Sequence, residues 1–450
     1  MPLSSHRFSP PAAAASGPHV DRTLRLLDQL FRRENCRDVS VELWDGTRWP
    51  PASEMGLGPI SEALPVTLVL RHPGALRAAC LPGTELGLAE AYLYDDMDIV
   101  GNIEAVFGLA EALTQAAPGW RQAIAIGREL RRLPAGTGRP RGARRGPARL
   151  AGRRHSIERD RRAVRYHYDV SNDFYALWLD PRMVYSCAYF RSPSDDLAAA
   201  QEHKLEHVCR KLRLRPGRRL LDIGCGWGGL VMYAAERFGV DATGISLSEP
   251  QVELANRRIA SAGLEGRCRA EVRDYREAPA GGDGGYDALV SVGMSEHVGL
   301  DTLPVYFRRA FDLLKPGGVF LNHAISDHPT RPKPPRNSFS DVYVFPDGET
   351  PPVSAVLEAA EGAGFEVRDV ENLREHYTAT LRHWMRRLEA RHEEALRFVD
   401  EATYRVWRLF MAGSAHRFAT GTLGVYQALV VKPGPDGRSA LPATRADWYQ

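Results

Sequence analysis

A glycine-rich turn constrains the fold more than any other feature of the chain. It runs Leu220-Leu221-Asp222-Ile223-Gly224-Cys225-Gly226-Trp227-Gly228-Gly229, directly between a short apolar run and a helix-like run. Glycine permits a tight turn there and lets the main chain approach a ligand closely. The segments around it continue the pattern. LAAAQEHKLEHVCRKL reads as a helix, RLLDIG as a strand, GGLVMYAAERF as a helix, VDATGIS as a strand and EPQVELANRRIASAG as a helix. CRAEVRD and YDALVSVG read as strands, LPVYFRRAFDLL as a helix and GGVFLNHAI as a strand. VSAVLEAAEGAG then reads as a helix, and FEVRDVENL and LGVYQALVVK as late strands. Strands alternating with helices imply an α/β fold with a mostly parallel sheet covered on both faces. Ligands in such sheets sit beyond the carboxyl ends of the strands.

Two nucleotide-binding patterns compete for the turn. A dinucleotide fold prefers GxGxxG with a ribose-binding acid about 20 residues further on. A phosphate-binding loop needs GK[ST], which is absent. The second strand ends in Gly244-Ile245-Ser246-Leu247-Ser248, hydroxyls in place of an acid, and these can still hydrogen-bond a ribose. DIGCGWG, followed by a seven-strand pattern whose last strand comes late, resembles a class I methyltransferase.

At 450 residues the chain exceeds one ordinary domain. Residues 1–19 read as a disordered tail and not a signal peptide, since they lack a long apolar core. Residues 20–128 read as a smaller mixed α/β domain. Its segments are a helix in DRTLRLLDQLF capped by Asp21, strands in VSVELWDG and PVTLVLRHP, and a helix, acidic loop and helix in LGLAEAYLYDDMDIVGNIEAVFGLAEAL. Residues 129–162 are rich in Arg, Gly and Pro and read as a flexible linker. That basic strip is a solvated hinge, or a contact for anionic lipid head groups, worth about 1 kcal/mol per basic residue near the surface, or, ranked last, a contact for nucleic acid. Residues 163–435 form the catalytic domain and 436–450 a tail. The net charge of +3 demands no nucleic-acid partner, and none is expected. The six cysteines form no CxxC pair, so neither a disulfide framework nor a metal site is expected. No apolar run reaches the roughly 18 residues needed to span a bilayer. A cytoplasmic protein bound peripherally to membrane fits best. A homodimer stays open.

YHYDVSNDFYALWLD, MVYSCAYF, LDIGCGWGGL, SVGMSEHVG and LKPGGVFLNHAI occur in this order. Together they resemble the cyclopropane-fatty-acyl-phospholipid synthase family and the related mycolic acid cyclopropane synthases, over about 165 to 430. LGLAEAYLYDDMDI resembles the amino-terminal lipid-associated domain of the bacterial phospholipid enzymes. The resemblance implies a class I fold with a Rossmann-like seven-stranded sheet. It also implies S-adenosylmethionine as methyl donor and a bound bicarbonate ion. Tyr185 and Ser186 would touch the methionine part of the donor. Asp222, Gly224, Cys225, Gly226, Trp227 and Gly228 would wrap its carboxylate and ribose side. Ser246, Leu247 and Gln251 would line the adenosine, and Asp274 and Tyr275 would hold the adenine. The bicarbonate positions fall on Cys187, Glu296, His323, Ile325 and Tyr377.

The residues themselves support part of this. Leu321, His323 and Ile325 alternate on one strand and share a face. Glu296 follows the fourth strand, at the ligand-bearing end. An acid and an imidazole together can hold a small oxyanion that accepts a proton. The segment Tyr166 to Phe190 supplies Tyr168, Phe174, Tyr175, Trp178, Tyr185, Tyr189 and Phe190. Such rings can exclude water and stabilise a cation by roughly 0.5 to 2 kcal/mol each. Taken singly, each feature also has a plain structural role. The aromatic cluster could be core, His323 a satisfied core histidine, Cys187 a small buried hydrophobe, His297 a helix cap and Tyr377 an interface tyrosine.

The resemblance implies methyl transfer to a cis double bond of an unsaturated phospholipid, proton loss to bicarbonate and closure of a cyclopropane. Many family members carry a second cysteine near the position of Ser414, which leaves the product open. A methylene- or methyl-branched chain, small-molecule N-methylation of the coclaurine type and a lipid-binding relic without turnover are the alternatives.

Overall fold

A computed structural model describes residues 17–31, 39–50, 66–115, 119–138, 145–280, 284–330, 337–439 and 441–449. Its contacts divide the chain into two compact units, residues 1–145 with 401–409, and residues 146–400 with 410–450.

The amino-terminal unit holds a four-stranded sheet in the order Arg48–Trp49, Val39–Glu42, Val66–Leu70, Met97–Val100. The β-branched runs form strands as expected. Met97–Val100, taken as part of an acidic loop, is instead the edge strand, with Thr67 to Leu70 opposite Val100 to Met97. Asp21 does not cap the first helix. That helix begins at Pro18, whose fixed φ and missing N–H suit a first turn, and Asp21 lies inside it. Thr84 caps the helix Glu85–Leu93 by accepting from Gly87 N at 3.1 Å. Buried Arg405 belongs to this unit. It donates to Tyr92 O at 2.7 Å and pairs with Asp95 at 2.9 Å.

The carboxy-terminal unit is built on β1 (Arg219–Ile223), β2 (Asp241–Ser246), β3 (Cys268–Val272), β4 (Tyr286–Val292), β5 (Leu314–Asp327), β6 (Glu366–Asn372) and β7 (Leu423–Val431). The sheet order is β6-β7-β5-β4-β1-β2-β3. β1 to β5 are parallel, and β7 runs antiparallel to both β5 and β6. This is the seven-stranded, mostly parallel class I architecture that the sequence implies. Leu220, Val290 and Leu321 pack one face of the sheet, with Leu205, Val208 and Val231 of the covering helices. Leu221, Leu289 and Phe320 pack the other, with Phe307 and Leu313. The inner strands β1 and β4 are largely apolar on both faces because helices cover both, whereas the edge strands β3 and β6 carry exposed and charged residues.

Two flanking segments differ from expectation. In the stretch 129–162, the helix Trp120–Arg131 continues past residue 129, and a new helix starts at Ile157. Arg154 pairs with Glu349 at 2.8 Å and Arg159 with Asp347 at 2.8 Å, so those arginines are held by acids far away in sequence. Residues 139–144 lie outside the described residues, as do 1–16 of the expected amino-terminal tail. The carboxy-terminal stretch 436–450 is no free tail. Trp448 is buried, Asp447 pairs with Arg213 at 2.6 Å, and Arg445 pairs with Asp369 at 2.7 Å. A terminal aromatic flanked by charges found partners on the helix Leu197–Lys211 and on β6. Among the described residues, no helix is long and apolar enough to cross a membrane.

Candidate active site

β1 ends in buried Asp222 and passes into the glycine turn. Gly224 and Gly226 take φ of 95° and 53°, which side chains rarely adopt. A Cβ on Gly226 would meet nothing within 4 Å, so the turn there borders open space. Gly224 and Cys225 donate their N–H groups to Ile245 O at 2.9 and 3.0 Å, which ties the turn to β2. A cavity opens at this carboxyl end of the sheet. Tyr185, Ser186, Asp222, Gly224, Cys225, Gly226, Trp227, Ser246, Leu247, Gln251, Asp274 and Tyr275 all line it. Gly228 does not. It starts the helix Gly229–Phe238 and packs toward Ala255, and Gly229 lines the cavity instead.

Each end of the cavity has its own supports. Ser246 donates to Gln251 Oε1 at 2.8 Å. Ser248 is spent elsewhere: it caps the helix Glu249–Ser261 and donates to Asp169 at 2.6 Å. Asp274 accepts from Arg276 at 2.7 Å, and Arg276 also reaches Asp160 at 2.9 Å. At the opposite end Gln201 donates to Ser186 O at 2.8 Å, fixing the segment that carries Tyr185. The Tyr185 ring lies 5.1 Å from Trp384, 5.4 Å from Trp178 and 5.7 Å from His167. Trp227 sits 4.8 Å from Tyr175 and donates its indole N–H to Asn172 at 2.7 Å.

The electrostatics of the floor follow from burial. Burial raises the Asp222 carboxyl to about 7, against the pull of Lys204. Its Oδ1 is buried without a hydrogen-bond partner. Burial lowers Lys204 to about 8, against Asp180, Cys187 and Asp222. The residues fit the proposed methyl donor: a turn bordering open space, an unpaired buried carboxylate oxygen for an ammonium, and a ring-lined end for a sulfonium.

The second residue group lies outside this lining. Glu296, in the turn after β4, accepts from the backbone N–H of Ile325 at 2.8 Å, so these two meet. Burial pushes the Glu296 carboxyl to about 7, and its Oε2 has no partner. Cys187 and Tyr377 come together at Leu373, whose carbonyl accepts from Cys187 Sγ at 3.6 Å and from Tyr377 N at 3.1 Å. Burial raises Tyr377 well above its ordinary range, with Cys187, Glu296 and Tyr168 acting on it in the same sense. His323 on β5 meets Gln427 on β7, the Gln Nε2 standing 3.2 Å from Nδ1. With the Gln427 amide in this orientation its nitrogen donates to Nδ1 and the imidazole proton falls on Nε2; with the amide reversed, Oε1 accepts from Nδ1–H. That Nε2 is buried without a partner, and no hydrogen bond joins His323 to Glu296. Burial lowers His323 to about 3, so the ring is neutral. Glu296 Oε2 and His323 Nε2 are each buried without a hydrogen-bond partner, and an imidazole N–H, or a carboxyl in its acid form, can donate to a small oxyanion.

Sequence reasoning left out Lys204, Met294 and Arg273, and left His297 open, yet all four line the cavity. His297 is not a cap. Its ring lies 4.2 Å from Phe345 and 6.0 Å from Tyr168, and burial lowers it to about 4. A signal for Lys204 was present. It sits on the helix stripe of Leu197, Ala200, Leu205 and Val208, which is buried.

The family model for mycolic acid cyclopropane synthetase matches residues 155–428. A Pseudomonas putida protein named "Probable fatty acid methyltransferase" is 38% identical over 415 residues, 92% of this chain and 96% of its own. The cyclopropane-fatty-acyl-phospholipid synthase of Escherichia coli strain K12 is 35% identical over 263 residues, 58% of this chain and 66% of its own. The crystal structure of mycolic acid cyclopropane synthase CmaA1 with SAH and CTAB is similar at 32% identity, TM-score 0.57, covering 60% of this chain and 98% of that one. The chain therefore belongs to the mycolic acid cyclopropane synthetase family, S-adenosylmethionine-dependent lipid methyltransferases of the class I fold.

Proposed function

We propose that the chain methylates the cis double bond of an unsaturated phospholipid acyl chain and closes it to a cyclopropane. The observation that carries this is the pair of buried, unpartnered atoms, Glu296 Oε2 and His323 Nε2, in a unit whose cavity fits the donor. When bound, S-adenosylmethionine supplies an electrophilic methyl and bicarbonate supplies an oxyanion that takes up a proton. The alkene electrons form the new carbon–carbon bond, and the electrons of the broken carbon–sulfur bond leave with the thioether. A proton then departs from the new methyl, and its bonding electrons close the ring.

The chain's residues have distinct tasks in this scheme. Tyr185 and its ring neighbours keep water from the cationic acyl carbon. His323 Nε2–H would donate to the anion, and Glu296, whose carboxyl burial pushes up to about 7, would donate from Oε2 in its acid form. The backbone of Ile325 holds the other Glu296 oxygen in place. Cys187 and Tyr377 complete the wall as neutral thiol and phenol, since burial raises both.

A second reading keeps the first step and loses a different proton, leaving a methylene- or methyl-branched chain. The relative that spans 92% of this chain carries the name fatty acid methyltransferase, and Ser414 stands where many family members have cysteine. Vesicles of monounsaturated phospholipid incubated with carbon-labelled methyl donor separate the readings by NMR. Cyclopropane methylene signals support the first, vinylidene or methyl signals the second, and label in an amine overturns both.

The lipid partner is an anionic bilayer surface met peripherally. Trp120 is 70% exposed and Ile124 48%, one turn apart, while Ile126 and Leu130 of the same helix point inward. Exposed Arg121, Arg128 and Arg131 share the helix. An apolar stripe bordered by arginines suits an interface lined by anionic head groups.

A further inference from the structure

Lysine is rare in this chain: five lysines stand among 59 basic residues, at positions 204, 211, 315, 333 and 432. Lys204 is 2% exposed and lies in the wall of the cofactor cavity. A buried ammonium is costly unless its donors are used. Lys204 has three N–H donors, and its one side-chain hydrogen bond goes to Ser186 Oγ at 2.9 Å. Its charge is felt by Asp222 and Asp180. Asp180 is already engaged, accepting from the backbone N–H groups of Val184 and Arg182 at 2.8 and 2.9 Å. Asp222 keeps a buried oxygen without a partner. One cavity floor thus holds an acid and an ammonium, each with unused hydrogen-bonding capacity. The amino-acid end of the methyl donor is a zwitterion and presents the opposite pair.

We propose that Lys204 is the specificity residue that reads the carboxylate of the donor's methionine end, with Asp222 taking its ammonium. The inference rests on the reading of this cavity as the donor site. The carboxylate accepts from Nζ beside Ser186, so the lysine selects S-adenosyl ligands with an intact amino acid over decarboxylated ones. A lysine with only a structural role would offset Asp222 and Asp180 and be indifferent to that carboxylate.

The experiment is binding calorimetry on the whole chain, with S-adenosylhomocysteine and decarboxylated S-adenosylhomocysteine as probes. A charge-assisted hydrogen bond implies that the wild-type protein prefers the intact ligand by roughly 10- to 100-fold. Lys204→Met loses that preference: removing the lysine also leaves Asp222 less ionised, which weakens both ligands somewhat, but the intact ligand weakens by far the more. Equal affinity of the wild type for both ligands overturns the inference, and so does a Lys204→Met variant that weakens both equally or neither. Wild-type protein that binds neither ligand overturns the donor-site reading and this inference with it. Should Lys204→Met fail to fold, the wild-type comparison still decides, with Lys204→Arg expected to retain a preference for the intact ligand.

Discussion

Asp222 shows how a single buried residue sets the chemistry of the site. Its carboxyl lies near 7 because burial disfavours the ion, so at lower pH it is neutral and offers an ammonium no counter-charge. Affinity for S-adenosylhomocysteine should therefore rise as pH increases from about 6 through about 7, and fall again above about 8, where Lys204 loses its proton. Calorimetry across that range checks it, and Asp222→Asn should flatten the rise while weakening binding roughly 10-fold or more. A pH-independent wild type would contradict the assignment. The motif residues of this site were legible because turn glycines and strand-end acids have few other uses in that order. Lys204 was less so. A lysine on an apolar stripe more often reaches solvent along its stem, and composition cannot say which way it turns. Cys187, Glu296, His323 and Tyr377 stand out in the sequence only jointly, since burial of each has a plain structural explanation.

Elements were read best where hydrophobic period and length agreed. Each of the seven strands of the large sheet overlaps a segment so identified; the inner strands β1, β4 and β5 have covered faces and nearly continuous apolar runs, while the edge strands β3 and β6 carry exposed and charged residues. The edge strand Met97–Val100 was missed because it is short and carries Asp98, a composition shared with loops. The carboxy-terminal stretch was missed because its order comes from distant partners. One such tie can be tested. Lys211, buried in the helix Leu197–Lys211, meets Glu371 of β6 at 2.5 Å and Asp369 at 3.3 Å, and His207 meets Glu371 at 2.8 Å. Burial pushes the Glu371 carboxyl up, but His207 and Lys211 outweigh it and hold it at about 2. A depressed carboxyl contributes stability that is complete above the unfolded value of about 4.3 and is lost as pH falls toward 2. Glu371→Gln should destabilise the fold at neutral pH by about 2 kcal/mol. This lies below the ~3–5 kcal/mol for a severed buried pair because Asp369 still faces the lysine. Thermal melts should also show a shallower decline between about pH 4.5 and 2 than in the wild type. Equal acid limbs would contradict the clamp.

At the scale of the whole molecule, length and the composition of 129–162 pointed to two folded parts. The return of residues 401–409 to the amino-terminal unit left no trace in the sequence, since Arg405 reads as an ordinary surface arginine on a helix. The amino-terminal unit carries the membrane claim. Replacing Trp120 by Ala and Ile124 by Ser should cut co-sedimentation with anionic vesicles several-fold and leave S-adenosylhomocysteine affinity unchanged. Undiminished co-sedimentation would remove this helix from the interface. Lipid methylation that depends on Glu296 and His323 is the central claim. The most direct measurement is NMR of the lipid fraction after incubation of wild-type and Glu296→Ala proteins with labelled donor and monounsaturated phospholipid vesicles, with bicarbonate supplied or stripped. The predicted result is labelled cyclopropane lipid from the wild type, dependent on bicarbonate, and a loss of ~10²-fold or more in the variant. Lipid product formed at the wild-type rate by Glu296→Ala, or no label in lipid at all, would contradict it.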